Sequence, residues 1–176
     1  MADNDQLHLE MLRANIERFL STEAQRLYPL GEGGNPDVLE IGDEGRGYGR
    51  RFFPGTRQLV MDLNPDAACE VHGDICHCPN IPDESFDVVI CTEVLEHTRA
   101  PWAAAEEIRR TLRPGGTVLV TTPCNLYIHS PAPDCWRFLH DGLLELFRYY
   151  STTVITGLET PGRYRFPIQY QVVAKK

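Results

Sequence analysis

The chain has 176 residues, a formal charge of −8 at pH 7 and a pI near 5.2. This length suffices for the core of one ordinary domain but is too short for a separate substrate domain. The acidic balance disfavours binding to nucleic acid backbones, so we expect no DNA partner. We find no apolar run that would span a bilayer and no signal peptide, so we expect no membrane partner and a cytoplasmic location.

A helical leader is predicted over residues 1–30. Apolar side chains recur at helical spacing between Gln6 and Tyr28. The stretch 29–36, rich in proline and glycine, then interrupts the helix. The leader either caps a ligand site or covers the core, and packing is the default because an apolar helix face must be buried.

A glycine loop at the start of an α/β core, predicted over residues 37–176, is the most informative feature. A short apolar strand over 38–41 runs into this loop. Glycine allows positive φ and a close approach to a ligand, with backbone amides pointing at it. One acid and three glycines here are candidate cofactor-binding residues: Glu40, Gly42, Gly45 and Gly47.

Asp62 ends the next predicted strand, Gln58–Leu63. A carboxylate at that place in an open α/β sheet accepts hydrogen bonds from ribose hydroxyls, so an adenosine cofactor is expected. The dinucleotide pattern GxGxxG fits in no register, because Glu44, Arg50 and Phe52 stand where glycines are required.

The rest of the core alternates strands and helices, with little room for a helix between the second and third strands. In chain order we predict a short helix (Tyr48–Phe53), a third strand (Ala67–Val71), a fourth strand (Phe86–Cys91), a helix that stops at Pro114-Gly115-Gly116, a fifth strand (Thr117–Thr122), a helix over Asp141–Tyr150 with Asp141 as its cap, and a hairpin of two strands (Thr152–Leu158 and Arg165–Ala174).

The order of these motifs resembles that of the class I S-adenosylmethionine (SAM) dependent methyltransferases, in particular the type 11-like, small-molecule subset. The acid and glycines resemble motif I with one residue inserted after Gly42. Asp62, Gly73-Asp74, the segment 85–97 (SFDVVICTEVLEH) and the segment 112–123 (LRPGGTVLVTTP) follow in the family's order.

This resemblance implies a Rossmann-like, doubly wound sheet of seven strands, mostly parallel with a C-terminal antiparallel hairpin, and SAM as the cofactor. It also implies that Asp74 binds the adenine amino group, that Ile75 packs on the ring and that Glu93 lines the lower face of the cofactor. Leu63, beside Asp62, completes the candidate cofactor-binding residues. Ordinary roles remain open for Glu40 as a strand-end acid or loop support, and for Asp74 as a turn residue.

Two histidines, His97 and His129, are candidate catalytic residues. A base is needed where the acceptor carries an acidic proton, and an imidazole with a pKa near neutrality suits that task. His129 is the first choice. It opens the segment 129–138 (HSPAPDCWRF), which resembles an HxxPxDYWRF signature in a subset of small-molecule and polysaccharide-associated methyltransferases.

Structural alternatives stand beside these roles. Trp136 and Phe138 would anchor the segment 129–138 to the core, with Asp134 and Arg137 paired as a clamp. Glu96 would be a solvated helix start. No metal site is predicted. The CxC spacing of Cys76-His77-Cys78 suits a four-ligand site poorly, even with Cys69 and His72 nearby.

The sequence therefore predicts a single domain over residues 1–176 that moves a methyl group from SAM to an oxygen or nitrogen of a small polar acceptor. A protein or RNA methyltransferase is an alternative, supported by the arginines between Arg46 and Arg57. A non-catalytic partner module with the same fold is another, supported by the irregular glycine loop, where Asp43 and Glu44 add carboxylates. The sequence leaves the oligomeric state open.

Overall fold

The computed structural model describes residues 3–29, 34–54 and 57–176. Gly31 and Gly33 of the predicted connection, and Gly55 of the predicted turn, lie outside these ranges. The helices are α1 (Asp3–Leu27), α2 (Tyr48–Phe52), α3 (Pro101–Thr111) and α4 (His140–Leu146), with a 3₁₀ turn at Leu95–His97. The strands are β1 (Asp37–Ile41), β2 (Arg57–Asp62), β3 (Val71–His72), β4 (Phe86–Thr92), β5 (Leu112–Pro123), β6 (Thr152–Thr160) and β7 (Arg163–Lys175).

These strands form one sheet in the order β3-β2-β1-β4-β5-β7-β6. The neighbours from β3 to β5 run parallel, and β7 pairs antiparallel with both β5 and β6. The fold class predicted from the sequence is confirmed. Because the chain leaves β1 toward β2 and later returns to its other side as β4, the carboxyl ends of β1 and β4 border a crevice, where open α/β sheets bind ligands.

The apolar run of β4 is buried on both faces of the sheet. Val88 and Ile90 pack with Ile16 and Leu20 of α1, whereas Val89 and Cys91 pack on the opposite face in the cluster that contains α3. Alternation of side chains along a strand explains why every position from 88 to 91 is apolar. Packing, the default role of the leader, is therefore observed for the middle of α1.

Three predicted elements differ from the observed ones. The first is the third strand, predicted over Ala67–Val71, which is wrong over residues 67–70 because the chain turns there. Asn64 accepts hydrogen bonds from the amides of Ala67 and Asp66, at 3.1 and 3.0 Å. Pairing with β2 is left to Val71 and His72 alone.

The second difference lies at the start of β5. Leu112 already pairs with Phe86, and the register shifts before Val88 pairs with Thr117. Helix α3 thus ends at Thr111, before Pro114-Gly115-Gly116, and this segment lies inside an irregular first part of β5. An irregularity of this kind bends a strand without ending it.

The third difference concerns α4, which ends at Leu146 and not at Tyr150. Asp141 is not its cap, because Leu139 occupies the N-cap position and makes no side-chain cap hydrogen bond. Asp141 lies in the first turn, where a carboxylate interacts favourably with the helix dipole. Its Oδ1 also lies 3.0 Å from Nδ1 of His140.

Candidate functional site

The loop between β1 and α2 adopts positive φ at four positions: Gly42, Glu44, Gly45 and Gly47, with φ of 70°, 48°, 77° and 60°. Glycine takes this backbone conformation without the steric cost that a Cβ imposes. A Cβ on Gly42 would also lie only 2.6 Å from Cγ2 of Val94. The tight approach of the loop to the segment after β4 therefore requires glycine at position 42.

Two buried acids support this loop by accepting hydrogen bonds from backbone amides. Glu40 accepts hydrogen bonds from the amides of Tyr48 at 3.0 Å and Gly49 at 2.8 Å, and Asp43 accepts one from the amide of Gly47. Burial raises the pKa of Glu40, and the charge of Asp43 raises it further. The Glu40 carboxylate thus faces the start of α2, in the loop-supporting position, while Glu44 forms an ion pair with Arg46 at 2.6 Å.

A cavity, here called the strand-edge cavity, opens at the carboxyl ends of β1, β2 and β4. Four acidic and several apolar side chains share its wall. Of the predicted cofactor-binding residues it contains Gly42, Asp62, Leu63, Asp74, Ile75 and Glu93. Glu40, Gly45 and Gly47 do not line it.

Asp74 combines a turn with a place on this wall. Its Oδ1 accepts a hydrogen bond from the amide of Cys76 at 2.8 Å, and its carbonyl accepts one from the amide of His77. A carboxylate has two oxygens, so this turn does not consume its capacity to accept hydrogen bonds. The two roles that the sequence left open for Asp74 are compatible.

Glu93 occupies a strained position directly after β4. Its φ is 55°, in the left-handed region that few non-glycine residues adopt. Its Oε1 accepts a hydrogen bond from Nε2 of Gln169 at 2.9 Å. Such backbone strain is concentrated at functional sites. Glu93 lines both cavities of this site.

A second cavity, the α1 cavity, lies between α1 and the loop that follows β5. Leu9, Leu12, Arg13 and Ile16 of α1 form one wall, and residues 126–130 form another. The leader therefore both covers the core and borders a cavity. The strand-edge cavity and the α1 cavity share four lining residues, Gly42, Glu44, Glu93 and His97.

The two candidate histidines lie together, with ring centroids 4.9 Å apart. His97 lines both cavities and His129 lines the α1 cavity. Burial lowers the pKa of His129, although its Nδ1 lies 3.2 Å from Oδ2 of Asp134. The neutral imidazole is therefore the form present at pH 7, which is the form that accepts a proton or binds a metal.

The segment 129–138 is fixed by the clamp that the sequence predicted. Asp134 binds both terminal nitrogens of Arg137 and accepts a hydrogen bond from the amide of His129 at 2.9 Å. Trp136 donates its indole N–H to the carbonyl of Thr98 at 2.8 Å, and Phe138 packs against the core. Both the clamp and the anchoring interpretation are confirmed.

We expect the Asp134→Asn variant to lose stability in a pH-dependent way. Arg137 holds the pKa of Asp134 down at about 2, below the unfolded value of about 3.9. A lowered carboxyl pKa stabilises the fold above the unfolded value, and this stabilisation is lost as the pH falls toward 2. The difference corresponds to roughly 2–3 kcal/mol at pH 7.

Urea unfolding of both proteins between pH 3 and 7 measures this effect. The gap in the free energy of unfolding should narrow as the pH falls below about 4. Asp83→Asn is a matched control, because Asp83 also pairs with an arginine but its side chain is 75% exposed. A gap for Asp134→Asn that does not change with pH would contradict the clamp.

Glu96 is the residue that the sequence misjudged. It is fully buried in the 3₁₀ turn and is not a solvated helix start. Its carbonyl accepts hydrogen bonds from the amides of Cys135 and Trp136, at 2.7 and 3.2 Å. Burial raises the pKa of its carboxyl well above the usual range. The signal available in the sequence was the acid-histidine pair 96–97 directly after an apolar strand.

The strand-edge cavity suits SAM by the chemistry of its donor set. The carboxylates of Asp62 and Asp74 match ribose hydroxyls and an adenine amino group, and the side chains of Leu63, Ile75 and Val94 offer an apolar surface to a ring. The glycine loop borders this cavity at Gly42, where a Cβ would lie 2.6 Å from Cγ2 of Val94.

Comparison with known proteins agrees with this geometry. Residues 43–120 match the family model described as "Methyltransferase domain". Residues 43–120 are therefore similar to a methyltransferase domain, in agreement with the predicted class I SAM-dependent family. This confirms the predicted family, which is a family of enzymes, and with it the predicted cofactor, SAM.

Among similar proteins of this family, a probable S-adenosylmethionine-dependent methyltransferase of Mycolicibacterium smegmatis is 36% identical over 110 residues, which are 56% of this chain and 42% of that protein. The thiol S-methyltransferase TMT1B of Mus musculus is 30% identical over 132 residues, 61% of this chain and 53% of the mouse protein. The chain thus spans about half the length of these relatives.

Solved structures of SAM-dependent methyltransferases share the fold. The protein from Archaeoglobus fulgidus superposes with a TM-score of 0.66 at 16% identity, covering 91% of this chain and 94% of that one. The protein from Mesorhizobium loti gives 0.64 at 14% identity, covering 89% and 98%. Within the described part of this methyltransferase, no helix combines the length and the hydropathy needed to cross a membrane.

Proposed function

We propose that this methyltransferase transfers the methyl group of SAM to a nucleophilic atom of a small polar molecule held in the α1 cavity. The observation that carries the proposal is the boundary between the two cavities. Gly42, Glu44, Glu93 and His97 line both of them, so a cofactor in the first and an acceptor in the second would meet there. Alignment of reacting groups at such a boundary is a large source of acceleration.

In this proposal the strand-edge cavity holds the cofactor. Asp62 binds the ribose hydroxyls with Leu63 beside it, Asp74 binds the adenine amino group, Ile75 packs on the ring, and Glu93 lines the lower face. Gly42 faces the cofactor directly, while Glu40, Gly45 and Gly47 shape the loop. When bound, SAM supplies a methyl group on a positively charged sulfur. The carboxylate of the half-buried Glu93 favours that charge nearby.

The acceptor side would be served by the two histidines. A neutral imidazole at His129 takes a proton from a hydroxyl, a thiol or a protonated amine, and His97 lies beside it at the cavity boundary. The apolar wall of Leu9 and Leu12 excludes water from the acceptor, and Arg13 offers one positive charge to a polar group.

Oxygen or nitrogen is the acceptor atom that we propose first. A thiol is the second candidate, because the mouse relative, 30% identical over 132 residues, is a thiol S-methyltransferase. A thiol ionises more readily than an alcohol and depends less on a base. Dependence on His129 therefore distinguishes the two acceptor classes.

The ion pairs of the arginines near the glycine loop disfavour a macromolecular acceptor. Each of the four has an acidic partner within 3.0 Å, so they form no net basic patch for a phosphate backbone or an acidic peptide. The pairs are Arg46–Glu44, Arg50–Glu70, Arg51–Glu17 and Arg57–Asp37.

Isothermal titration with SAM and S-adenosylhomocysteine, with NAD as the control, tests the cofactor. Release of S-adenosylhomocysteine is then measured with panels of small alcohols, amines and thiols. We expect both adenosyl ligands to bind, NAD not to bind, and one panel to be methylated. A chain that binds neither adenosyl ligand would instead be a non-catalytic module with this fold.

A further inference from the structure

The side chains of Glu96, His97 and His129 converge on one point beside the α1 cavity. One ligand atom from each lies within 4.8 Å of the other two. Oε1 of Glu96 is 3.8 Å from Nε2 of His97. Two separate parts of the chain meet here, the 3₁₀ turn after β4 and the loop after β5. Two imidazoles and one carboxylate are a common protein donor set for a metal ion.

The buried carboxyl group of Glu96 lacks a hydrogen-bond partner at one of its oxygens within the described part of the chain. Its Oε1 has no hydrogen-bond partner among the described residues, and the side chain is fully buried. Its Oε2 has Thr122 Oγ1 at a long 3.4 Å. A buried acceptor without a partner costs free energy, and a cation next to Oε1 would remove that cost.

Hydrogen bonds hold both imidazoles in place. His97 Nδ1 lies 2.9 Å from the carbonyl oxygen of Pro133, and a carbonyl only accepts, so Nδ1 carries the proton and Nε2 keeps a free electron pair. His129 Nδ1 lies 3.2 Å from Oδ2 of Asp134 and 3.4 Å from a guanidinium nitrogen of Arg137. Hydrogen bonds of this kind orient metal-binding histidines in proteins.

We propose that Glu96, His97 and His129 bind a divalent first-row transition metal ion at the edge of the α1 cavity. Imidazole nitrogens select Mn²⁺, Fe²⁺, Co²⁺ or Zn²⁺ over the harder Mg²⁺ and Ca²⁺. The inference deepens the proposed function, and one consequence rests on that function. The ion would bind the acceptor oxygen or sulfur and lower the pKa of that acceptor group. The histidines would then hold the ion and would not take the proton.

The cysteine-rich stretch 76–78 does not compete for this role. The Cys78 thiol donates to a carboxylate oxygen of Glu107 at 3.1 Å, and burial raises its pKa to about 12. The Cys76 thiol points to the carbonyl of Ala100 at 3.5 Å. Thiols held as protonated donors are poor metal ligands, because the thiolate is the form that binds.

Titration of the metal-free protein with Co²⁺ tests the site, since the visible absorption of Co²⁺ reports the number and type of its ligands. We expect one Co²⁺ per chain, competed by Zn²⁺ and not by Mg²⁺. Glu96→Gln and His129→Asn should each weaken binding at least tenfold. His72→Asn is the matched control, because that histidine lies beside a different potential ligand, Cys69, with Sγ 3.4 Å from Nδ1.

A melting experiment makes the result independent of methyl transfer. Co²⁺ or Zn²⁺ should raise the Tm of the wild type and of His72→Asn but not that of Glu96→Gln, because only binding to the folded state stabilises it. SAM titration of each variant checks its folding and tests the cofactor separately. Wild-type protein that binds no Co²⁺ at millimolar concentration, or Glu96→Gln that binds it as tightly as the wild type, overturns the metal site.

Discussion

We expect Asp62→Ala to weaken SAM binding by about 10²-fold, the largest loss of affinity from any single change in the strand-edge cavity. A carboxylate that accepts hydrogen bonds from two ribose hydroxyls gains about 1.5 kcal/mol or more from each, and 1.4 kcal/mol is a factor of ten. Asp62 ends β2, where its carbonyl accepts a hydrogen bond from the amide of Gly73 at 2.9 Å. The variant keeps that backbone hydrogen bond and loses the exposed one that Oδ1 accepts from the amide of Asn64 at 2.8 Å.

Isothermal titration with SAM measures this change directly. Asp66→Ala is the matched control, because Asp66 is an exposed acid in the turn that follows β2 and does not line either cavity. Its affinity should equal that of the wild type. If Asp62→Ala binds SAM as tightly as Asp66→Ala, the cofactor does not lie along the wall that we propose.

His129→Ala should lower kcat for a hydroxyl acceptor by about 10²- to 10⁴-fold, the range that a positioned proton acceptor supplies. The same loss follows if His129 holds a metal ion that activates the acceptor. The affinity for SAM should not change, because His129 lines the α1 cavity and not the strand-edge cavity. The clamp also survives, since Asp134 accepts its hydrogen bond from the backbone amide of His129.

Steady-state kinetics with the acceptor class found in the screen, together with SAM titration, separate these effects. His140→Ala is the control, because His140 lies at the start of α4, away from both cavities, with its side chain 50% exposed. For a thiol acceptor the loss should be smaller, since the thiol ionises without help. A hydroxyl acceptor that is methylated at the wild-type rate by His129→Ala would remove His129 from the reaction.

The sequence by itself determined the elements that depend on local physical chemistry. The apolar run of β4 predicts burial on both faces because side chains alternate along a strand, and α1 and α3 indeed cover those faces. The glycines at 42, 45 and 47 predict a loop with positive φ, which the backbone has. The order of these signals along the chain was enough for the fold, the family and the cofactor.

Local signals failed where a side chain's surroundings come from distant parts of the chain. Glu40 lies near the end of an apolar strand, and Glu96 follows one. Glu40 supports the glycine loop, whereas Glu96 lies fully buried beside two histidines. The arginines near the glycine loop look basic in sequence, but Arg51 pairs with Glu17 of α1 and Arg57 with Asp37 of β1.

Only the tertiary structure decided which chemical groups share a site. His97 and His129 belong to different loops, and they meet because β4 and β5 are neighbours in the sheet and end at the same edge. The clamp of Asp134 and Arg137 then fixes the second loop against the first. Periodicity and turn chemistry are properties of neighbouring residues, whereas this convergence depends on strand order and on contacts between residues far apart in the chain.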